Sequence, residues 1–415
     1  MSRTADIVVV GAGIAGVSVA YHLAVRHRAG QVVLVDPRAP LTLTSDKSTE
    51  CYRNWWPNAA MVGLMNRSID ILEELATETD FGLNRNGYLF VTAEEETLAE
   101  MSRREEEIAG LGAAAEILDA TQLRQSHDFL TPSAVGALRV GRAGWFRAQE
   151  LGRWMLDRAR EREATLVAES VTAIHEDTIS LSNGDEISAD AIVVAAGPMA
   201  SKVAAMAGVD LPLFSELHLK VAFKDHLGII PRAAPLTIWS DPQRLDWTEG
   251  ERAELEMGQR AELLGEMPVF CHFRPEGAPG SPWILALWDY HDRVIEPTWP
   301  IPQDPLYPEV VMRGLATMVP GLSAYRDRLP ESVVDGGYYT KTVENRPLIG
   351  PAGDRIHLMT GLSGFGVMAA AGGADLVARH IVGADLPEYA DAFLLDRYTD
   401  PGYLAETEAA DTGQL

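Results

Sequence analysis

The chain has 415 residues, 47% of them hydrophobic, with a formal net charge of −25 and two cysteines, Cys51 and Cys271. That length holds a full core, spread over two domains or one large elaborated one, and the charge argues against nucleic acid and membranes as partners without identifying a substrate. Two cysteines make neither a disulfide framework nor a metal motif, so a reducing, cytoplasmic setting is the expectation.

The most informative stretch comes first. Residues 7–10, Ile-Val-Val-Val, read as a buried strand and are too short for a signal peptide. They run into Gly11-Ala12-Gly13-Ile14-Ala15-Gly16, after which Val17, Ala20, Leu23 and Ala24 continue at helical spacing. A second apolar strand over 31–35 ends at Asp36. Gly11 permits the tight turn, Gly13 lets backbone approach a pyrophosphate, and Gly16 lets the helix pack on the strand. The helix N-terminus offers N–H groups and a positive dipole to phosphates. Asp36 can accept hydrogen bonds from a ribose hydroxyl. Strand, turn, helix, second strand and acid together predict a dinucleotide site.

Residues 41–57 are rich in Thr, Ser, charge and aromatic rings, and read as a long functional loop rather than a core strand. A helix is predicted over 59–77, a strand over 87–91 and a charged helix over 94–108. Gly110-Leu111-Gly112 half-matches the first glycine pattern but follows a helical run, so it reads as a helix end. Ala143-Gly144-Trp145-Phe146 precedes an amphipathic helix over 149–163. Short strands over 165–175 and 178–181 lead to the hairpin signal Asn183-Gly184. Residues 191–197 read as a buried strand ending in glycine, with a helix starting near Pro198.

From 216 to 330, strand-like runs at 217–223, 268–273 and 283–288 alternate with Pro-rich loops around a charged helix at 249–264. This predicts a mainly antiparallel sheet domain. Gly336-Gly337-Tyr338-Tyr339-Thr340 and Asn345-Arg346-Pro347-Leu348-Ile349-Gly350 then lead to a strand over 356–359. The turn Gly361-Leu362-Ser363-Gly364-Phe365-Gly366 opens a small-residue helix over 367–382, whose N-terminus is a second anion-binding end. No uninterrupted apolar segment is expected to reach transmembrane length, and the polar tail 405–415 reads as flexible.

This ordered set resembles the D-amino-acid oxidase / sarcosine oxidase / glycine oxidase superfamily of FAD-dependent amine oxidoreductases. The resemblance spans residues 5–400. It rests on the N-terminal fingerprint with Asp36, Ala143-Gly144-Trp145, Ala195-Ala196-Gly197, and Arg346-Pro347-Leu348-Ile349-Gly350 with the glycine turn 361–366. It implies an α/β, two-domain fold: a Rossmann-like FAD-binding domain (1–85, 141–215, 336–404) interleaved with a mainly antiparallel-sheet substrate domain (86–140, 216–335). FAD is then expected across the glycine motifs, with its ring against the sheet domain. The expected contacts are Gly11, Gly13, Ile14, Ala15 and Gly16, then Asp36, Pro37 and Arg38. Ser45, Ser48 and Thr49 follow in the loop, with Val171, Ala196 and Gly197 further on. The last turn contributes Gly361, Ser363, Gly364, Phe365, Gly366, Val367 and Met368. In relatives this turn aims a helix N-terminus at the flavin pyrimidine oxygen, where a positive dipole favours the reduced, anionic ring. That role falls to the N–H groups of Gly364 and Gly366.

Departures from the relatives bear on function. Sarcosine oxidases attach FAD through a cysteine three residues before the Thr of a Tyr-Thr pair, and that position here is Gly337. Other relatives use a histidine in the loop after the second strand; residues 41–58 contain none, and Cys51 is the one conceivable anchor. FAD is therefore expected to be non-covalent. The Lys with which sarcosine oxidases grip the substrate carboxylate is here Met368, and the Arg that glycine and D-amino-acid oxidases carry in the last turn is missing. A buried carboxylate needs a cation or several donors. Either Arg53 or Lys341 supplies it, with His218 and Lys220 behind them, or the substrate is not a simple amino acid. Sarcosine oxidases also carry a Lys four residues before a His, which promotes reaction with oxygen. If His291 is that His, the Lys position is Leu287. This tilts the reading toward a dehydrogenase, or an oxidase activated by Lys220 or Lys341.

The catalytic set is read as Arg53, Lys341, His291 and Tyr339. Arg53 faces flavin or substrate, or else stacks on Trp55 and Trp56. His291 with Tyr290 forms a pocket pair, or a half-buried pair at a strand end. Of Tyr338 and Tyr339, which alternate along a strand, one faces the cavity. Phe365 lines the pocket, Trp145 packs, and Glu50 reads as a solvated charge. The expected reaction oxidises a C–N bond of a small amine or N-substituted amino acid by hydride transfer to flavin N5. The resulting imine hydrolyses, and O2 or another acceptor takes the electrons. Positioning and electrostatics do most of the work; no metal is expected, and the oligomeric state is not assigned. Two other readings stand beside it: an NAD(P)H-dependent flavin monooxygenase, which the absence of a Gly-Asp motif in the last turn disfavours, and a non-catalytic flavin-binding partner protein.

Overall fold

The computed structural model describes residues 2–290, 293–400, 402–403 and 413. Two eight-stranded sheets carry them. In the first, the strand Ser2–Val10 lies between Val32–Val35 and Glu186–Val194, parallel to both. Thr165–Val167 extends one side, and Ile356–Thr360 with antiparallel Leu348–Pro351 extends the other. A parallel sheet must be covered on both faces, which is why its strands are unbroken Val and Ile runs. Val8, Val9, Ile192 and Val193 are fully buried.

The helices Ile14–Tyr21, Ala59–Leu75, Ala148–Arg160 and Gly366–Val382 share one core with this sheet. The last of them runs through the middle, and its residues 367–378 are all buried. Small residues make that approach feasible: a Cβ on Gly372 would stand 2.7 Å from the Leu64 carbonyl oxygen. By composition alone, the 20 residues Ser363–Val382 are apolar enough to cross a membrane. Asp375 and Arg379 interrupt it and the helix is mostly buried, so its apolarity serves the core.

The second sheet runs in the order Ser332–Lys341, Phe214–Lys224, Trp283–Leu287, His272–Pro275, Leu236–Trp239, Tyr88–Thr92, Gly136–Val140, Ala115–Asp119. Its neighbours are antiparallel except Leu236–Trp239 with Tyr88–Thr92. The strand Ser332–Lys341 pairs with Phe214–Lys224 along its whole length, across the boundary expected at 335/336. The helix Tyr307–Met318 packs on this sheet through Val310, Val311 and Leu315 and was not predicted among the Pro-rich loops. The run predicted at 268–273 is a strand only over His272–Pro275.

Residues 41–57 are not one loop. Cys51–Arg53 is a buried strand paired with Ala143–Trp145, and Tyr52 donates its hydroxyl to the Asn84 carbonyl at 2.8 Å. A three-residue strand has no periodicity to read, and its partner lies ninety residues on. Glu50 is likewise no solvated charge: its carboxylate accepts the Ala148 N–H at 2.8 Å, and burial raises its pKa against the pull of Arg274.

After the central helix the chain is tied back by a buried ion pair. Arg397 donates twice to the Glu344 carboxylate, at 2.8 and 3.0 Å, and Tyr398 and Tyr403 donate to the same oxygen. Burial alone would raise the Glu344 pKa, but Tyr398 and Arg397 hold it below the ordinary value. Glu344→Ala leaves the buried guanidinium on backbone carbonyls, without its counter-charge, and should cost about 3–5 kcal/mol in denaturant unfolding. Because the folded pKa is lowered, this stabilisation is full above the unfolded pKa and fades as pH falls through the folded one. Wild type and variant should therefore converge in acid.

Candidate active site

A cavity of about 430 Å³ opens between the two sheets, walled by both glycine turns. At the first turn the geometry explains each glycine. Gly11 has φ +110°, and a Cβ there would lie 2.4 Å from the Ala195 carbonyl oxygen. A Cβ on Gly16 would lie 1.9 Å from the Gly11 oxygen, so Gly16 supports the turn from behind. Gly13 is different: a Cβ would approach only the Ser45 hydroxyl, at 3.1 Å, and otherwise fill cavity space. Asp36 braces the turn by accepting the N–H groups of Ala12 and Arg38, both at 2.9 Å. Ser45 accepts the Ile14 N–H at 2.9 Å.

At the second turn, Gly361 and Ser363 adopt positive φ, +68° and +48°. Gly364 is required by a ring: a Cβ there would stand 2.3 Å from Cε2 of Tyr339. Tyr339 in turn stacks on His218, with ring centroids 3.7 Å apart and planes at 15°. His218 Nδ1 lies 2.6 Å from Asp289 and Nε2 lies 3.4 Å from Glu216. Tyr338 points the other way, its hydroxyl bonded to Thr298 and its ring edge-on to Trp299.

A second, smaller chamber of about 50 Å³ shares Thr49, Leu287, Tyr339 and Gly364 with the cavity. Arg53, Trp56, Tyr88, His272, Phe365 and Met368 complete most of its wall. Arg53 is 4% exposed; its guanidinium lies 4.7 Å from the Trp56 ring centre and 6.0 Å from that of Tyr88. Its Nη2 donates to the Gly413 carbonyl at 2.5 Å. Arg53 thus stacks on a tryptophan, and it does so inside a buried chamber rather than on the surface.

The sheet contributes a row of side chains to both spaces. Lys220 stands opposite Leu287, and Leu287 opposite His272, in successive strands. Residues directly opposite share a face. Lys220 lines the cavity, Leu287 lines both spaces, and His272 lines the chamber. Lys220 donates to the Ser48 carbonyl at 3.1 Å, and burial lowers its pKa.

Of the cofactor contacts expected from the sequence, Gly11, Gly13, Ile14, Ala15, Asp36, Pro37, Arg38, Ser45, Ser48 and Thr49 line the cavity. Val171, Ala196, Gly197, Gly361, Ser363, Gly364, Gly366 and Val367 do so as well. Gly16 does not, because it packs behind Gly11. Phe365 and Met368 wall the chamber instead. Lys341 lines neither space: it lies 2.5 Å from Glu216, so its charge is already matched. His291 lies outside the described residues. Cys51 is buried on the chamber wall with its thiol on the Thr49 carbonyl, and Gly337 borders the cavity. Nothing local to His272 marks it as a wall residue, because its place depends on strand register.

The profile of the DAO family, described as FAD dependent oxidoreductase, matches residues 6–380. The chain belongs to that family. No curated protein matches it significantly in sequence. Solved structures do match in fold. L-proline dehydrogenase from P. horikoshii superposes with a TM-score of 0.77 at 21% identity, covering 98% of this chain and 99% of that one. Glycine oxidase from Geobacillus kaustophilus gives 0.77 at 17%, covering 95% and 98%. Iminodiacetate oxidase from Chelativorans sp. BNC1 gives 0.71 at 17%, covering 94% and 98%.

The protein is thus an FAD-dependent oxidoreductase, and the cavity fits that cofactor. The Gly13 cradle leaves room for phosphate oxygens, and two helices begin at the cavity wall. Asp36 can hold the ribose, and Gly364 and Gly366 with their N–H groups can face the flavin. A DAO-family enzyme with Gly364→Ala should retain FAD at least about tenfold less tightly, because the methyl displaces Tyr339. Gly364→Ala with Tyr339→Ala should recover part of that loss. FAD titration of the apoproteins measures both, and wild-type affinity in the single variant would contradict the packing argument.

Proposed function

We propose that this enzyme oxidises the C–N bond of a small amine or N-substituted amino acid, with the substrate in the chamber and its carboxylate on Arg53. The observation that carries the reading is the chamber itself: it shares four wall residues with the cofactor cavity and holds a buried guanidinium. Arg53 stands in for the two cations that relatives place at the last glycine turn. Its bond to the Gly413 carbonyl marks where an acceptor oxygen sits. Trp56, Tyr88 and Phe365 exclude water, which strengthens the Arg53–carboxylate attraction. When bound, FAD would supply the two-electron acceptor for the hydride that leaves the carbon beside the amine. The imine product then hydrolyses. With Gly337 at the cavity and the Cys51 thiol turned to a carbonyl, FAD is held without a covalent bond.

Lys220 replaces the cation absent at Leu287, from the neighbouring strand and on the same face. Lys220 would hold a positive charge at the cavity wall, where it would stabilise the negative charge that O2 acquires, so the reading is an oxidase. Arg53→Ala should weaken binding of a carboxylate substrate by about 2–5 kcal/mol while leaving the matching decarboxylated amine little changed. Equal losses for both would remove Arg53 from the carboxylate role. Lys220→Met should slow reoxidation of the reduced enzyme in air by about tenfold or more, with reduction by substrate nearly unchanged. Unaltered reoxidation would return the choice to a dehydrogenase.

A further inference from the structure

Burying an amine substrate raises a question of charge. The chamber offers its carboxylate a cation, but among the described wall residues there is no carboxylate for an ammonium group. An ammonium ion would therefore enter as an unpaired buried charge, which is strongly unfavourable. A neutral amine would instead need an acceptor for its N–H. Arg53 and the Trp56 indole are donors only, and the Cys51 thiol points at the Thr49 carbonyl.

His272 meets the need by geometry. Its Nδ1 lies 2.7 Å from the Phe270 carbonyl, which can only accept, so Nδ1 carries the proton. The neutral ring then has its lone pair on Nε2. His272 is 7% exposed and sits on the chamber wall one strand from Leu287, beside the wall shared with the cavity. The charged groups acting on it oppose each other: Asp289 favours the protonated ring, and Arg53 disfavours it. Burial is the largest influence and lowers the pKa, which keeps the ring neutral near pH 7. Cys51, Tyr88 and Tyr339 also share the wall, and burial raises all three, so they stay protonated.

We propose that His272 is a catalytic residue that accepts the substrate N–H at Nε2, selecting the unprotonated amine and fixing its nitrogen relative to the flavin. Arg53 holds one end of the substrate and His272 the other. The carbon between them is thereby presented to the shared wall at Tyr339, Leu287 and Gly364. Substrates with an N–H, primary or secondary amines, satisfy this pair; fully substituted amines do not. The inference rests on the amine-oxidising reading above.

The test uses the holoenzyme and pairs of ligands that differ only at nitrogen. Sarcosine is set against methoxyacetate, and L-proline against tetrahydrofuran-2-carboxylate, where an ether oxygen replaces the N–H. Binding is followed by perturbation of the flavin spectrum, and amine oxidation by anaerobic bleaching. In His272→Leu, the amine that bleaches wild type should bind at least about tenfold more weakly and reduce the flavin more slowly. The ether partner should bind within threefold of wild type. In His272→Gln, whose amide oxygen can accept an N–H, part of the amine affinity should return. Equal losses for amine and ether would mean that His272 only shapes the chamber, and no loss for either would mean that it does not touch the substrate; both overturn the proposal. If no amine bleaches wild type while the ether acids still bind, the functional reading fails first, and this inference with it.

Discussion

A dinucleotide brings two phosphate charges and a large flat ring into the interior, and backbone N–H groups must meet much of that charge. Two helix N-termini have to reach one cavity. That constraint shapes the whole chain. It places Gly13 where a side chain would fill the cradle, and Gly11 and Gly16 where backbone closes on backbone. It also draws the helix Gly366–Val382 through the centre of the molecule, which its run of small residues permits. The second sheet then covers the open side and adds side chains such as Lys220, Leu287 and Tyr339 to the cavity wall.

The parts legible in the sequence were those with local causes. The first strand, turn and helix, the acid at Asp36, and the last glycine turn each carry their reason within a few residues. The alternation at Tyr338 and Tyr339 placed one ring on the cavity because strand period is fixed. What the sequence could not give was register. Cys51–Arg53 became a strand only through its distant partner Ala143–Trp145. Lys341 looked available until the neighbouring strand brought Glu216 to it. Glu50 looked solvated until the helix Ala148–Arg160 offered its first N–H. Phe365 and Met368 sat in the right turn but on the side that faces the chamber.

Register also changes how the departures from the family are understood. Read along the chain, Met368 and Leu287 are two lost cations. Across the sheet, Lys220 stands opposite Leu287, and Arg53 shares the chamber wall with Met368. Charge at a site is a property of space rather than of sequence position. The same row ends at His272, on the chamber wall.

The account stands or falls on what reduces the flavin. The direct measurement is anaerobic mixing of the holoenzyme with amines, N-methyl amino acids, D- and L-amino acids, and NAD(P)H, watching flavin absorbance and then readmitting air. The account predicts bleaching by an amine or amino acid bearing an N–H, none by NAD(P)H, and rapid return of colour in air. Bleaching by NAD(P)H alone would contradict it and point to a hydroxylating flavoprotein.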